Sequence, residues 1–215
     1  MHEHEPRRQH EREPEAEDHE ALARDGPRIY VASLSDYNNG ILHGGWIEAV
    51  ADPEAMQEEI DAMLRMSPTT GRYGDVAEEW AIHDYDGFGP LVLGEYESLE
   101  RIAKLASGIV EHGLAFAAWM NVIGDDVGDE SSGSEGDRES ERFSEQFLGS
   151  WKSVEEYAED LLQDMGANEL LAKIPEWLQP YLTLDTAGFA RDLQLGGDVS
   201  VVENPEGGVW VFRGE

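Results

Sequence analysis

The sequence holds no cysteine and only three lysines, Lys104, Lys152 and Lys173. The first absence excludes disulfides and thiolate chemistry. The second leaves few flexible cations to set against the acids. The chain of 215 residues carries 47 Asp plus Glu against 15 Lys plus Arg, a formal net charge of −32. Such an excess repels nucleic acid and anionic membranes and favours partners with positive surfaces. Solubility or adaptation to high salt would account for the same excess, so composition alone leaves both readings open. No apolar run approaches the ~18 residues of a membrane span. The stretch MHEHEPRRQHEREPEAEDHEALARDG lacks the apolar core of a secretory signal, and a cytoplasmic protein is the expectation.

Catalytic signatures are missing too. There is no HExxH, P-loop, GxGxxG or GxSxG. His43, His83 and His112 show no zinc spacing. Asp84-Tyr85-Asp86-Gly87 lacks the third acidic position and the later glutamate of a calcium loop, and Asp125, Asp126 and Asp129 fail on spacing. No catalytic residue, metal or cofactor is assigned. EEWAIHDYDG (78–87) comes nearest to a site, with His83 beside Asp84. On a strand, neighbours point to opposite faces. Ala81, His83 and Tyr85 are then expected on one face, and Trp80, Ile82, Asp84 and Asp86 on the other. That excludes a local dyad and leaves a structural histidine, or a hydrolase pairing His83 with a remote carboxylate.

Local signals describe an α+β chain with strand-rich ends and a helical middle. Residues 1–27 hold nine acids and four arginines, a net −5, and are expected to be disordered. The rest therefore keeps −27. RIYVASL (28–34) alternates as a strand, Asn39-Gly40 is a hairpin signal, and ILHGGWIEAV (41–50) returns as a second strand. Asp52-Pro53 opens a helix with Met56, Ile60, Met63 and Leu64 on its inner stripe and Glu54, Glu58 and Asp61 together on another. A loop (67–75) and a third strand (78–86) follow. SLERIAKLASGIVEHG (98–113) reads as a helix with Leu99, Ile102, Leu105, Ile109 and Val110 inward, and LAFAAWMNVIG (114–124) as a buried one. GDDVGDESSGSEGDRES (124–140) has the composition of a loop. Ser153 and Glu156 form a capping box for SVEEYAEDLLQDMG, with Val154, Tyr157, Leu161, Leu162 and Met165 inward and Gly166 as the stop. Two short helices broken at Pro175 and Pro180, a helix capped by Asp185, and a hairpin with an NPEGG turn complete the chain.

What stands out is where the acid falls. Residues 48–100 hold 14 acids and two bases, and residues 125–164 hold 14 acids and three bases. On the helix at 153–165, Glu155, Glu156, Glu159, Asp160 and Asp164 fill the outer face with no basic partner expected. Like-charge pairs at i,i+4 cost about 0.2–0.5 kcal/mol each. A helix selected only for stability or solubility would interleave lysines. Five charges over about 13.5 Å of helix average about 2.7 Å apiece, against one per about 1.7 Å along duplex DNA. Carboxylates displayed in this way suit a groove built of Arg and Lys, and a merely solvated acidic face would show the same spacing.

Four segments, in order, carry a further signal: IYVASLSDYNNGILHGGWIEA, EEWAIHDYDGFG, FLGSWKSVEEYAEDLLQDMG, and IPEWLQPYLTLDTAGFARDLQLGGDVSVVE followed by VWVF. Together they resemble the ArdA antirestriction proteins over nearly all of residues 28–213. That resemblance implies an elongated, non-enzymatic chain of three small domains (28–96, 97–142 and 143–215) that forms a homodimer largely through the last. It implies imitation of bent B-form DNA and binding to type I restriction-modification enzymes, at their DNA-specificity and methyltransferase subunits, in place of nucleic acid. The phosphate-like charges would be Glu54, Glu58, Asp61, Glu78, Glu79, Asp84, Asp86, Glu155, Glu156, Glu159, Asp160 and Asp164. The tail 1–27 and the loop 124–140 depart from the family pattern. The competing reading is an acidic adaptor or chaperone for another basic DNA- or RNA-binding protein.

Overall fold

The computed structural model describes residues 26–70, 77–123 and 135–214. The expected disordered tail, all but its last two residues, lies outside them, as does 124–134 of the expected loop. The described residues form eight α-helices and two three-stranded sheets, an α+β chain. Two compact units divide it. One runs through Phe88 and adds Leu93–Ala106; the other holds Gly89–Val92 and everything from Ser107 onward.

The first unit contains β1 (Arg28–Ser33), α1 (Leu34–Asn38), β2 (Gly44–Glu48), α2 (Pro53–Arg65) and β3 (Trp80–Asp86). The sheet order is β2-β1-β3, with both pairings antiparallel. Central β1 buries Ile29 and Val31 completely. Helix α2 packs against β1 and β2 and buries Met56, Ile60, Met63 and Leu64, the stripe expected from its spacing. Asp52 caps it, its Oδ1 accepting from the Glu54 amide at 2.9 Å.

The tight turn expected between β1 and β2 is replaced by α1. Ser33 caps this short helix by accepting from the Asp36 amide, and β2 begins only at Gly44. The reason lies thirty residues on. Asp36 is fully buried, and its Oδ1 accepts from Ser67 Oγ at 2.9 Å and the Thr69 amide at 3.1 Å. Oδ2 is buried without a hydrogen-bond partner. Burial pushes the carboxyl's pKa up, but hydrogen bonds from Thr69, Ser67 and Ser33 outweigh it and hold the group below its ordinary value.

Strand β3 departs from plain alternation. Val31 pairs with Ile82 while Tyr30 pairs with Asp84, so His83 is an extra residue without a partner on β1. This β-bulge reverses the face of everything after it. Ile82 is buried beside Val31, whereas Asp84 and Asp86 share the opposite face with Tyr30 and Arg28. The expected grouping of Ile82 with Asp84 and Asp86 is thereby corrected.

The boundary between the units falls within α3 (Leu99–His112). The second unit continues with α4 (Leu114–Ile123), α5 (Glu135–Gln146), β4 (Phe147–Trp151), α6 (Val154–Asp164) and α7 (Ala167–Ala172). A 3-10 turn at Gln179–Tyr181, α8 (Thr186–Gly196), β5 (Val199–Glu203) and β6 (Val209–Arg213) follow, the strands in order β4-β6-β5. On α3, Leu99, Ile102, Leu105 and Ile109 are buried as expected, but Val110 is 59% exposed. The close approach to α4 is made at Gly108, where a Cβ would run into the Phe116 ring.

Residues 135–140 were expected in a loop and instead begin α5. Packing overrides composition here. Phe143 of α5 is buried, its ring 4.8 Å from His112, 5.6 Å from Phe116 and Trp119, and 5.1 Å from Phe147. His112 Nε2 lies 2.6 Å from Ser140 Oγ, and Trp119 Nε1 donates to Gln146 Oε1 at 2.7 Å. Helix α6 packs on α8. Its fully buried residue is Ala158, while Val154, Tyr157, Leu161 and Leu162 are only half-buried. Met165, expected inward, sits at the C-cap and is 67% exposed.

Candidate functional site

On α2, Glu54, Glu58 and Asp61 are all exposed, and so is Glu59. Glu54 sits in the first turn behind the Asp52 cap, which anchors the helix end. Asp61 Oδ1 accepts from Gln57 Nε2 at 2.8 Å, which holds one carboxylate oxygen in place and leaves the charge unopposed. Glu78 and Glu79 precede β3 and are exposed. The Glu79 carbonyl accepts from the Leu34 amide at 3.0 Å, so the backbone there is fixed. Asp84 is exposed with its Oδ1 on the Tyr85 amide at 2.8 Å.

Asp86 behaves differently. Its Oδ2 accepts from Arg28 Nη2 at 3.1 Å, and the pair is half-buried. That carboxylate is neutralised within the chain. No ion pair or hydrogen bond joins the side chains of His83 and Asp84; the His83 ring meets that of Tyr37 edge-on at 4.8 Å between centroids.

On α6, Glu155, Glu159, Asp160 and Asp164 are exposed. Glu156 corrects the expectation that this face has no basic partner. Lys152 Nζ donates to its Oε1 at 3.2 Å and the Lys152 amide to its Oε2 at 2.8 Å. Ser153 accepts from the Glu156 amide as the capping box requires, but the return bond goes to Lys152, one residue before the cap. Helix-end amides act on both neighbouring acids. Glu155 is held below the ordinary carboxylate range by its own amide and the Ser153 hydroxyl, and Glu156 by the Lys152 amide and ammonium. Both stay ionised in neutral solution.

Seven of the twelve candidate acids thus stand on the first unit and five on the second, and all but Asp86 and Glu156 are free of ion pairs. They form short rows set by helix and strand geometry. Among the described residues no group of His, Cys, Asp or Glu could hold a metal ion, and no helix is long and apolar enough to cross a membrane.

Rows of unopposed carboxylates on capped helices are what a basic groove would meet. Residues 29–206 match the family model of the antirestriction protein ArdA. The chain belongs to the ArdA antirestriction family. The match begins in β1 and ends in the β5–β6 turn, taking in both units and every one of the twelve acids. It includes the four collinear segments that carried the resemblance, apart from the closing VWVF. Comparison with curated protein sequences finds no match. An ArdA-family chain is an inhibitor directed at restriction-modification enzymes. Sequence reasoning passed over Glu59, exposed on α2, and Glu48, exposed on β2 and opposite Arg28 in register. For Glu59 the signal was there, since every charged position outside the Met56-Ile60-Met63-Leu64 stripe is exposed. For Glu48 it was not, because only strand register sets its neighbours.

Proposed function

We propose that this ArdA-family chain is an acidic mimic of bent B-form DNA. It occupies the DNA-binding groove of type I restriction-modification enzymes, against their specificity and methyltransferase subunits, and blocks cleavage. The observation that carries this reading is the set of unpaired, exposed carboxylates repeated at helical spacing on α2 and α6 with no interleaved lysine. Repulsion within each row works against folding, so such rows point to a partner that supplies the missing cations. Binding of this kind is electrostatic and spread over many groups, each contributing little.

The experiment is cleavage of unmodified DNA by a type I enzyme with increasing amounts of the protein. Inhibition near stoichiometry at low salt is expected, weakening steeply as salt rises through the range where the Debye length falls from about 30 Å to about 8 Å. Undiminished cleavage by several such enzymes at molar excess would sink the proposal. Capture of histone-like or ribosomal proteins without restriction subunits would favour the acidic adaptor instead.

The same reading includes a three-part, elongated particle (28–96, 97–142, 143–215) and a homodimer held largely by the last part. Supporting the dimer, the stretch from Met165 to Leu195 leaves Leu170 62%, Trp177 72%, Tyr181 79% and Leu195 80% exposed. A protein contact along this stretch would take these large apolar groups out of water. Sedimentation equilibrium is expected to give twice the chain mass of 23.9 kDa, falling to one chain mass for Trp177→Ser with Tyr181→Ser.

A further inference from the structure

The outward face of the first sheet carries a second kind of feature. Cross-strand partners share a face, so the register places Arg28, Tyr30, Trp46, Glu48, Asp84 and Asp86 together. The Tyr30 and Trp46 rings meet edge-on at 5.5 Å between centroids. Arg28 lays its guanidinium 4.8 Å from the Trp46 ring centroid while bonding Asp86. Trp46 nevertheless stays 44% exposed, on a strand with an open edge. Glu48 and Asp84 flank the rings with no ion-pair partner of their own. The bulge at His83 is what brings Asp84 and Asp86 to this face.

We infer that Trp46 and Tyr30, with Glu48 and Asp84 beside them, form an arginine-binding platform that takes a guanidinium from the restriction enzyme's DNA groove. This inference rests on the proposed function and adds a localised anchor to a contact otherwise made of dispersed charge. The chemistry fits arginine better than lysine. A planar, weakly hydrated guanidinium stacks on an indole while its edge donates to a carboxylate. Arg28 already demonstrates the geometry within the chain, using Trp46 and Asp86. After that internal pairing the cluster has one cation and three carboxylates, so it still attracts a second cation. A phosphate-imitating surface alone needs no tryptophan. Tryptophan and tyrosine are enriched in interface hot spots, where one side chain outweighs many rim charges.

The test uses the full-length protein and a type I restriction enzyme, reading the concentration for half-inhibition of cleavage at several salt concentrations. Trp46→Leu is expected to raise that concentration about tenfold, with the slope against log salt unchanged, because an apolar and quadrupolar contact is lost but no charge. Glu48→Gln is expected to act about threefold and to reduce the slope. Trp46→Phe, which keeps a smaller ring against Arg28 and Tyr30, is expected to raise it about fourfold, and it decides the matter should Trp46→Leu fail to fold. Inhibition within twofold of wild type for a folded Trp46 variant overturns the platform while leaving the decoy reading intact. Absence of inhibition by the wild-type protein overturns both.

Discussion

Converting Glu159, Asp160 and Asp164 to their amides together is expected to weaken inhibition of a type I enzyme by at least tenfold at low salt while slightly raising the melting temperature. The two effects have opposite signs for one reason. In the free protein these side chains repel each other and Glu155 and Glu156 across successive turns of α6, so neutralising them relieves strain in the helix. In the complex they would each meet a cation of the groove, so neutralising them removes three attractions. Exposed pairs contribute about 0–1 kcal/mol each, and about 1.4 kcal/mol is a factor of ten. Three of them suffice for the expected loss, and any one alone gives less than about fivefold. The triple leaves the Ser153 cap and the Glu156–Lys152 pair intact, so the helix end is not disturbed. The readouts are the inhibition titration and its salt slope, beside a thermal melt. Unchanged inhibition with a raised melting temperature would remove α6 from the binding surface. A lowered melting temperature would mean the row is held by something other than mutual repulsion.

The second large effect is on stability. Asp36→Ala is expected to cost about 2–3 kcal/mol, since it strips a charged acceptor from the buried Ser67 hydroxyl and Thr69 amide. Chemical denaturation at neutral pH measures it, and a loss under about 0.5 kcal/mol would show that the loop holds without this anchor. The pH dependence follows from the depressed carboxyl pKa. Its stabilising contribution is fully present above the unfolded aspartate pKa, about 3.9. It is lost as pH falls through the lower folded value, because the unfolded chain binds the proton more readily. Asp36→Asn, which keeps an acceptor but does not titrate, is expected to flatten the acid limb of the stability curve.

The histidine that invited a catalytic reading shows how local pattern and tertiary register part company. Strict alternation put Ile82, Asp84 and Asp86 on one face. The bulge at His83 separates them, and that single extra residue converts a strand with mixed faces into one that buries Ile82, exposes Asp84 and brings Asp86 to Arg28. Nothing in HDY announces a bulge. The decision is made by β1, whose Val31 and Tyr30 take Ile82 and Asp84 as partners.

What the sequence determined by itself is what depends on neighbours along the chain. Asp52-Pro53 and the stripe Met56-Ile60-Met63-Leu64, the Ser153 and Asp185 caps, and the 204–208 hairpin turn all act within four or five residues, and all are present. Family membership was legible for the same reason, through four segments in fixed order. Only the tertiary structure decided which acids are free. Asp86 is neutralised by an arginine 58 positions away, and Asp36 is held in the core by the Ser67 hydroxyl and the Thr69 amide, more than thirty positions on. A charge-rich segment became helix α5 because Phe143 found a ring-lined slot. Cap and stripe energies are local, whereas ion pairing and burial depend on chain closure over long loops. A row of carboxylates can be read from spacing, but its net charge cannot.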